Sequence, residues 1–329
     1  MLLTLAASSY LWLNIPAISS FCKAELPKGQ CVAYVARFYK QGKARSYYHL
    51  YLSDYTGKRQ NQLTVGQRDV EDYFWQDNNH FITLKSDQRI HPNAAEFHFE
   101  LTRINISNRK EQVLKSWSST DKYNSLDEKA DELQIGQKRF KINGSRLTPL
   151  PRVIERSEEK RPELTDAVIL KDTNHQLWED LGIKDKSIEF KTIDQDGEGS
   201  IITIKSGNQS HEARLPEGFL ESGYRVGKGD LIVVMKPTGT RPAKSYVTYI
   251  NTKTAQTLTL ISGYGDVDFD VSRRIWLGSS SEWEDDYGQL NDSRSVPTRP
   301  LVAGDWKTGQ VFTIAKGLVF AYQASLRPE

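Results

Sequence analysis

The stretch Val302-Ala303-Gly304-Asp305-Trp306-Lys307-Thr308-Gly309-Gln310-Val311-Phe312-Thr313-Ile314 decides the fold. Apolar residues crowd both sides of a tight Thr308-Gly309 turn, so the segment reads as two antiparallel strands. The figure recurs along the chain. Tyr51-Leu52-Ser53-Asp54-Tyr55-Thr56-Gly57-Lys58 leads into Gln62-Leu63-Thr64, and Arg103-Ile104-Asn105-Ile106 turns at Ser107-Asn108 into Gln112-Val113-Leu114. Phe140-Lys141-Ile142 turns at Asn143-Gly144 into Leu147-Thr148. Ile201-Ile202-Thr203-Ile204 turns at Gly207-Asn208 into Glu212-Ala213-Arg214-Leu215, and Tyr249-Ile250-Asn251 turns near Thr254 into Thr257-Leu258-Thr259-Leu260. Glycine and asparagine supply the positive φ that such turns require.

Six hairpins of one kind imply a repeat architecture. Between them is room for two further strands per unit, as in 219–226 followed by 230–235, and 267–271 followed by 275–279. Phe97-His98-Phe99-Glu100-Leu101 alternates with period two, whereas Leu231-Ile232-Val233-Val234-Met235 is apolar on both faces, as a strand covered on two sides should be. Long helical periodicity is absent. The class is therefore all-β, and four strands per unit arranged radially is the β-propeller plan.

The chain ends add an independent argument. Val32-Ala33-Tyr34-Val35-Ala36 stands where the second strand of a unit belongs, while Leu318-Val319-Phe320-Ala321-Tyr322 follows a complete hairpin and has no unit of its own. Pairing the C-terminal strand with the N-terminal strands would close the ring and satisfy exposed edges. The expectation is a propeller of about six four-stranded blades, or seven if residues 121–138 hold a further one. The alternative is a β-sandwich or two stacked β-domains.

Composition narrows the function classes. The 329 residues carry 44 basic and 42 acidic side chains, net +2, which argues against a dedicated nucleic-acid binder. Two cysteines cannot build a disulfide scaffold. Residues 2–18 are largely apolar, but the run is short for a membrane span and is interrupted by Ser, Asn and Pro. Residues 1–24 read as a secretory signal segment cut after Cys22-Lys23-Ala24, although no basic residue precedes the run; a buried N-terminal strand or helix is the other reading. Residues 25–329 then form a single propeller domain. A cut after Ala24 leaves Cys31 alone, whereas an earlier cut keeps Cys22 and allows a Cys22–Cys31 bridge. No later stretch is apolar enough to span a bilayer, so the expectation is a periplasmic or secreted protein with no stable membrane span after signal removal.

Residues 51–84 carry Tyr51, Asp54, Gly57, Leu63-Thr64, Asp69-Val70, Trp75, Asp77 and Phe81-Ile82. In this pattern the segment resembles the secreted and periplasmic TolB-like (WD-repeat-like) β-propellers, in which a strand ending Asp-x-x-Gly is followed by Leu-Thr and then by a Ser-Pro-Asp-Gly-Lys turn. Here that turn reads Trp75-Gln76-Asp77-Asn78-Asn79, keeping only the aspartate. The same stretch also looks like the propeller cap of prolyl-oligopeptidase-type hydrolases. Agreement covers about one unit; it implies an architecture and leans toward binding, since one propeller fold hosts many functions.

Motifs for chemistry are few. There is no Gly-x-Ser-x-Gly elbow, phosphate-binding loop, dinucleotide fingerprint or paired Cys-x-x-Cys, and no catalytic residue, cofactor or metal site is assigned. His49, His80, His91, His98, His175 and His211 fall in different units. Asp194, Asp196 and Glu198, with Gly199, match the start of a calcium loop, but the twelfth position is Lys205, so an acidic strand connection is the better reading. A long connection holds Trp283, Glu284, Asp285, Asp286 and Tyr287, which are the candidate binding residues, because recognition concentrates on long loops carried by a rigid scaffold. This loop, the Asp194 loop and residues 87–93 all join second to third strands, so they should share one face of the disc. That face is expected to work and to be acidic. The function expected is an exported, non-catalytic propeller that binds or scaffolds a protein, peptide or envelope component. The alternatives are a propeller enzyme acting on glycans or a separated propeller subunit of a hydrolase.

Overall fold

The computed structural model describes residues 31–38, 47–120, 124–127, 131–136, 138–151, 188–192, 200–206, 209–215, 219–226, 230–236, 245–280, 298–317 and 319–327. Among them there is no helix, and every strand pairing is antiparallel. In chain order the strands are β1 (Cys31–Phe38), β2 (His49–Asp54), β3 (Gln60–Gln62), β4 (Asp69–Asp77), β5 (His80–Ser86), β6 (Phe97–Asn105) and β7 (Glu111–Ser119). There follow β8 (Asn124–Asp127), β9 (Glu132–Ile135), β10 (Lys138–Asn143), β11 (Arg146–Pro149), β12 (Ile188–Thr192), β13 (Ser200–Ser206) and β14 (Gln209–Leu215). The last are β15 (Phe219–Val226), β16 (Asp230–Lys236), β17 (Ser245–Ile250), β18 (Thr257–Asp270), β19 (Ile275–Ser280), β20 (Leu301–Asp305), β21 (Val311–Ala315) and β22 (Val319–Leu326).

These strands make five sheets: β4 to β7, β8 to β11, β12 to β14, the seven strands β15 to β21, and β22-β1-β2-β3. The residues around 121–138 are thus no further unit, since β8 and β9 are two strands of the third sheet along the chain. The seven-stranded sheet is two four-stranded ladders sharing β18, whose first half pairs with β17 and second half with β19. The C-terminal β22 lies against β1, in the order expected from the two chain ends.

Strand alternation explains how the sheets stack. On β1, Cys31, Ala33 and Val35 enter one apolar cluster with Val70, Tyr73 and Phe81, while Val32, Tyr34 and Ala36 enter another with Ile275, Leu277 and Ala303. Phe74, Ile82 and Leu84 pack on Leu133 and Ile142; Leu231, Val233 and Met235 pack on Ile202 and Ile204; Ile232 and Val234 pack on Trp276 and Val302. Fully burying an aliphatic side chain stabilises by about 1.5–3 kcal/mol, so a strand sunk on both faces contributes from each residue. The clusters string six ladders into one succession.

Three hairpins share one turn built around an Asn or Asp. Asn105, Asn251 and Asp305 each donate their N–H to a carbonyl five residues on, and Oδ1 of each accepts backbone N–H groups inside the loop. The fifth residue is left-handed in all three: Arg109 (φ 56°), Ala255 (φ 56°) and Gly309 (φ 73°). The side chain substitutes for missing ladder bonds, which is why Asx opens these loops. In the β2–β3 turn Asp54 plays a related part, accepting from Thr56, Lys58 and Arg59 N–H groups.

Candidate functional site

The Leu63-Thr64 and Asp69-Val70 pairs fasten the start of β2. Thr64 Oγ1 accepts the Leu50 N–H at 2.9 Å, Val70 N–H donates to the Tyr48 carbonyl at 2.9 Å, and Asp69 Oδ1 accepts the Tyr48 N–H at 2.7 Å. Asp69 is 1% exposed. The Arg89 guanidinium grips it as a fork, Nε to Oδ2 at 2.7 Å and Nη2 to Oδ1 at 2.9 Å, the geometry a planar guanidinium offers a carboxylate. Burial works against the Arg89 charge, but the bonds and charge of Asp69, helped by Tyr48 and Glu71, outweigh it and raise its pKa.

Tyr48 is the hub. The Arg89 and Arg37 guanidinium carbons lie 5.1 and 5.4 Å from its ring centroid, and Tyr322 meets its ring edge-on at 5.2 Å. Arg299 is partly buried nearby, and that burial lowers its pKa against the opposing influence of Tyr48. Tyr322 donates to the Val70 carbonyl at 2.8 Å; burial first, then Glu71, Tyr48, Asp69 and Asp72, push its phenol far up.

Two further carboxylates follow on β4. Glu71 is the extra residue of a β-bulge, because Val70 faces Lys85 while Asp72 faces the adjacent Leu84. Bulges of this kind re-aim side chains near binding and catalytic sites. Glu71 accepts from the Ser86 hydroxyl, and burial raises its pKa despite that bond. Asp72 accepts from Tyr73 N–H at 2.8 Å, Leu126 N–H at 3.3 Å and the Gln323 amide at 3.3 Å, and burial raises its pKa too. It therefore bridges β4, β8 and β22, the strands that begin three ladders.

All these groups share one end of the molecule. Arg37 is next to last in β1, Tyr48 precedes β2, Asp69 opens β4, Arg89 follows β5 and Arg299 precedes β20. That is the end from which second-to-third strand connections emerge. Arg37, Arg89 and Arg299 stand there with Asp69, Glu71 and Asp72, and Asp87 of residues 87–93 lies at the same end. Trp283, Glu284, Asp285, Asp286 and Tyr287, and likewise Asp194, Asp196 and Glu198, lie outside the described residues. Sequence reading passed over Tyr48, Glu71, Asp72, Arg89 and Arg299; the one local signal was three carboxylates within Asp69-Val70-Glu71-Asp72.

At the opposite end a polar hollow of about 480 Å³ is lined by His80, Arg103 and Asn105 among others. The Asn108 N–H fixes the Asn105 carbonyl oxygen at 3.2 Å, which turns the Asn105 amide nitrogen to His80 Nε2 at 3.0 Å. His80 Nδ1 then donates to Asp77 at 2.9 Å, so both ring nitrogens are occupied within the protein. Asp77 also accepts the Asn79 N–H at 2.7 Å and so holds the β4–β5 turn. Among the described residues no group of three or more His, Cys, Asp or Glu side chains is placed to hold a metal ion, and no helix is long and apolar enough to cross a membrane.

No family model matches the chain, and no curated protein matches it. Solved structures do. TolB from Acinetobacter baumannii is 11% identical with a TM-score of 0.45, over 92% of this chain and 67% of that one. A putative TolB from Agrobacterium tumefaciens is 10% identical with a TM-score of 0.35, over 91% and 99%. The propeller domain of the Trilobed protease from Pyrococcus furiosus, described as having an open velcro topology, is 8% identical with a TM-score of 0.32, over 88% and 79%. TolB proteins and a peptidase propeller are among the solved structures to which the chain is similar.

Proposed function

We propose that the chain is an exported, non-catalytic β-propeller of six blades that binds a protein, peptide or envelope component at its second-to-third loop end. Six ladders stacked in one succession support the blade count, and the β22–β1 pairing supports closure by the two chain ends. One further contact, between β12–β14 and β8–β11, would complete the ring.

The observation that carries the binding reading is the gathering of the part-exposed Tyr48, Arg89 and Arg299 beside carboxylates already committed internally. Asp69 is sunk and forked by Arg89, and Asp72 is held by donors from three strands. Aromatic and arginine side chains on a rigid scaffold are the usual anchors of recognition. A glycan-cleaving reading draws on Glu71, a carboxyl with a raised pKa beside ion-paired Asp69, since two carboxylates in unlike environments can divide acid and base roles. The burial of Asp69 weighs against it, because a substrate cannot reach that carboxylate.

The test is capture from an envelope fraction by the wild-type chain, Tyr48→Ala, and the pair Asp285→Lys and Asp286→Lys, with folding verified by circular dichroism. Loss of the same captured component in both variants is expected. Equal capture by all three, or release of reducing ends from a glycan by the wild type and not by Glu71→Gln, would overturn the reading.

A further inference from the structure

The turns between third and fourth strands leave the end opposite Tyr48, and their tips are basic. Lys58 lies in the β2–β3 turn, Arg109 and Lys110 in the β6–β7 turn, Arg146 beside the turn at Gly144, Lys253 in the β17–β18 turn and Lys307 in the β20–β21 turn. All six are exposed. Lys253 and Lys307 hold the same place, two residues after the Asn or Asp that opens the loop. Contacts between neighbouring sheets hold several of these turns on one level. Tyr55 meets Phe312 edge-on at 5.2 Å, Arg109 Nη2 donates to Asn61 Oδ1 at 3.1 Å, and the Gln76 amide donates to the Gly144 carbonyl at 3.0 Å.

Four carboxylates of this end are engaged within the protein. Asp54 is buried and accepts the Thr56, Lys58 and Arg59 N–H groups, and Asp305 accepts those of Lys307 and Thr308. Asp77 holds the Asn79 N–H and lies 3.8 Å from the Arg103 guanidinium, while Asp131 lies 3.9 Å from Lys141 Nζ. Asp127, at the end of β8, is exposed. The turn thus ties its acid to backbone donors and points its lysine outward.

We propose that this end docks on an anionic lipid surface, with headgroup phosphates meeting the hairpin tips. A planar surface reaches tips on five hairpins together, whereas a peptide meets one or two. Nucleic-acid sites add rings on which bases stack; here Tyr55 and Trp306 are half-buried. The net charge of +2 gives the chain as a whole little attraction to such a surface, so the attraction comes from this end. Cations within a Debye length of charged headgroups act together, and salt weakens them together. Docking this way turns the Tyr48 end away from the lipid and is independent of recognition there.

The full chain is sedimented with vesicles of phosphatidylcholine alone, and with vesicles in which about a third of the lipid is phosphatidylglycerol, at low and physiological salt. Wild type is expected on the anionic vesicles only, with retention falling as salt rises. Lys58→Gln, Lys253→Gln and Lys307→Gln should each weaken partition by roughly fivefold, and the triple variant by more than any single one. Circular dichroism verifies their folding, and Tyr48→Ala should bind vesicles as wild type does. Equal retention on neutral and anionic vesicles, unchanged partition of the variants, or preference for duplex DNA over vesicles at equal phosphate overturns the proposal. None of these outcomes touches envelope capture through Tyr48, so the two readings fail separately.

Discussion

The Tyr73 phenol and the Ser325 hydroxyl, 252 residues apart in sequence, lie 2.9 Å from one another. Trp75 Nε1 donates to the same Ser325 oxygen at 2.9 Å, leaving the serine proton to be passed to Tyr73. Tyr73 in turn donates toward the Ala33 carbonyl at 2.8 Å and that of Gln323. Gln323 is left-handed (φ 48°) at a bulge where β22 carries one residue more than β1, and the bulge presents its carbonyl to the phenol. The last strand is thus locked to the first and second sheets by one polar knot.

Tyr73→Phe should cost about 1–2 kcal/mol, because it leaves carbonyls and Ser325 short of a partner within the core. Urea unfolding of Tyr73→Phe, Ser325→Ala and the double variant measures this; a coupling near zero in the cycle would show that the knot contributes nothing.

Gly304→Ala should be among the most damaging small changes in the chain. A Cβ there would sit 2.1 Å from Trp276 Nε1 and 2.3 Å from the adjacent ring carbon, and Trp276 is its cross-strand partner, 1% exposed. Overpacking of this kind costs about 1–3 kcal/mol or more. Thermal unfolding and the red shift of tryptophan emission report it; an unchanged melting temperature would refute the packing argument.

The shared Asx turn predicts opposite signs at equivalent positions. Ala255→Gly relieves a left-handed alanine and should gain about 0.5 kcal/mol, whereas Gly309→Ala imposes the same strain and should lose about 1 kcal/mol. Gly309 is exposed, whereas Ala255 is half-buried against the cluster of Ile202 and Leu231, so chemical denaturation reads the backbone effect at Gly309 and, at Ala255, that effect net of the lost methyl contact.

Two titrating groups should tilt the pH profile in opposite directions. Burial, reinforced by Lys85 and opposed by Asp69, lowers the His49 pKa. The unfolded chain therefore takes up that proton first, and stability is lost as pH falls below about 6.5. Burial raises the Glu71 pKa, so the folded state holds its proton longer and stability falls as pH climbs from the free carboxyl value toward the raised one. Urea midpoints between pH 4 and 8 should show His49→Gln flattening the decline just below pH 6.5. Glu71→Gln should be more stable than wild type at pH 7, and the two should converge at low pH.

Strands with apolar residues on both faces were legible at once: Val32-Ala33-Tyr34-Val35-Ala36 and Leu231-Ile232-Val233-Val234-Met235 are buried throughout. The continuity of β18 was not. Gly263 and Gly265 punctuate residues 257–270 like a loop, yet the chain stays extended and a register shift after Gly265 absorbs the change of partner. Strands β8 and β9 hid because Leu126 and Leu133 are almost their only apolar residues. At the candidate site, Asp69 and Glu71 were visible as charges, but the bulge that re-aims Glu71 depends on pairing with β5. Tyr48, Arg299 and Tyr322 come from distant parts of the chain, and no local spacing links them.

A strand that belongs to two ladders cannot peel from one without loosening the other. The fourteen residues of β18 carry any opening of β17 across to β19, so seven strands should breathe together as a single cooperative block. The β4–β7 and β22–β3 sheets, by contrast, share no ladder and meet through side chains, so fraying in one need not spread to the other. Amide exchange would then divide the molecule into a slow half built on one long backbone and a half whose sheets open on their own clocks.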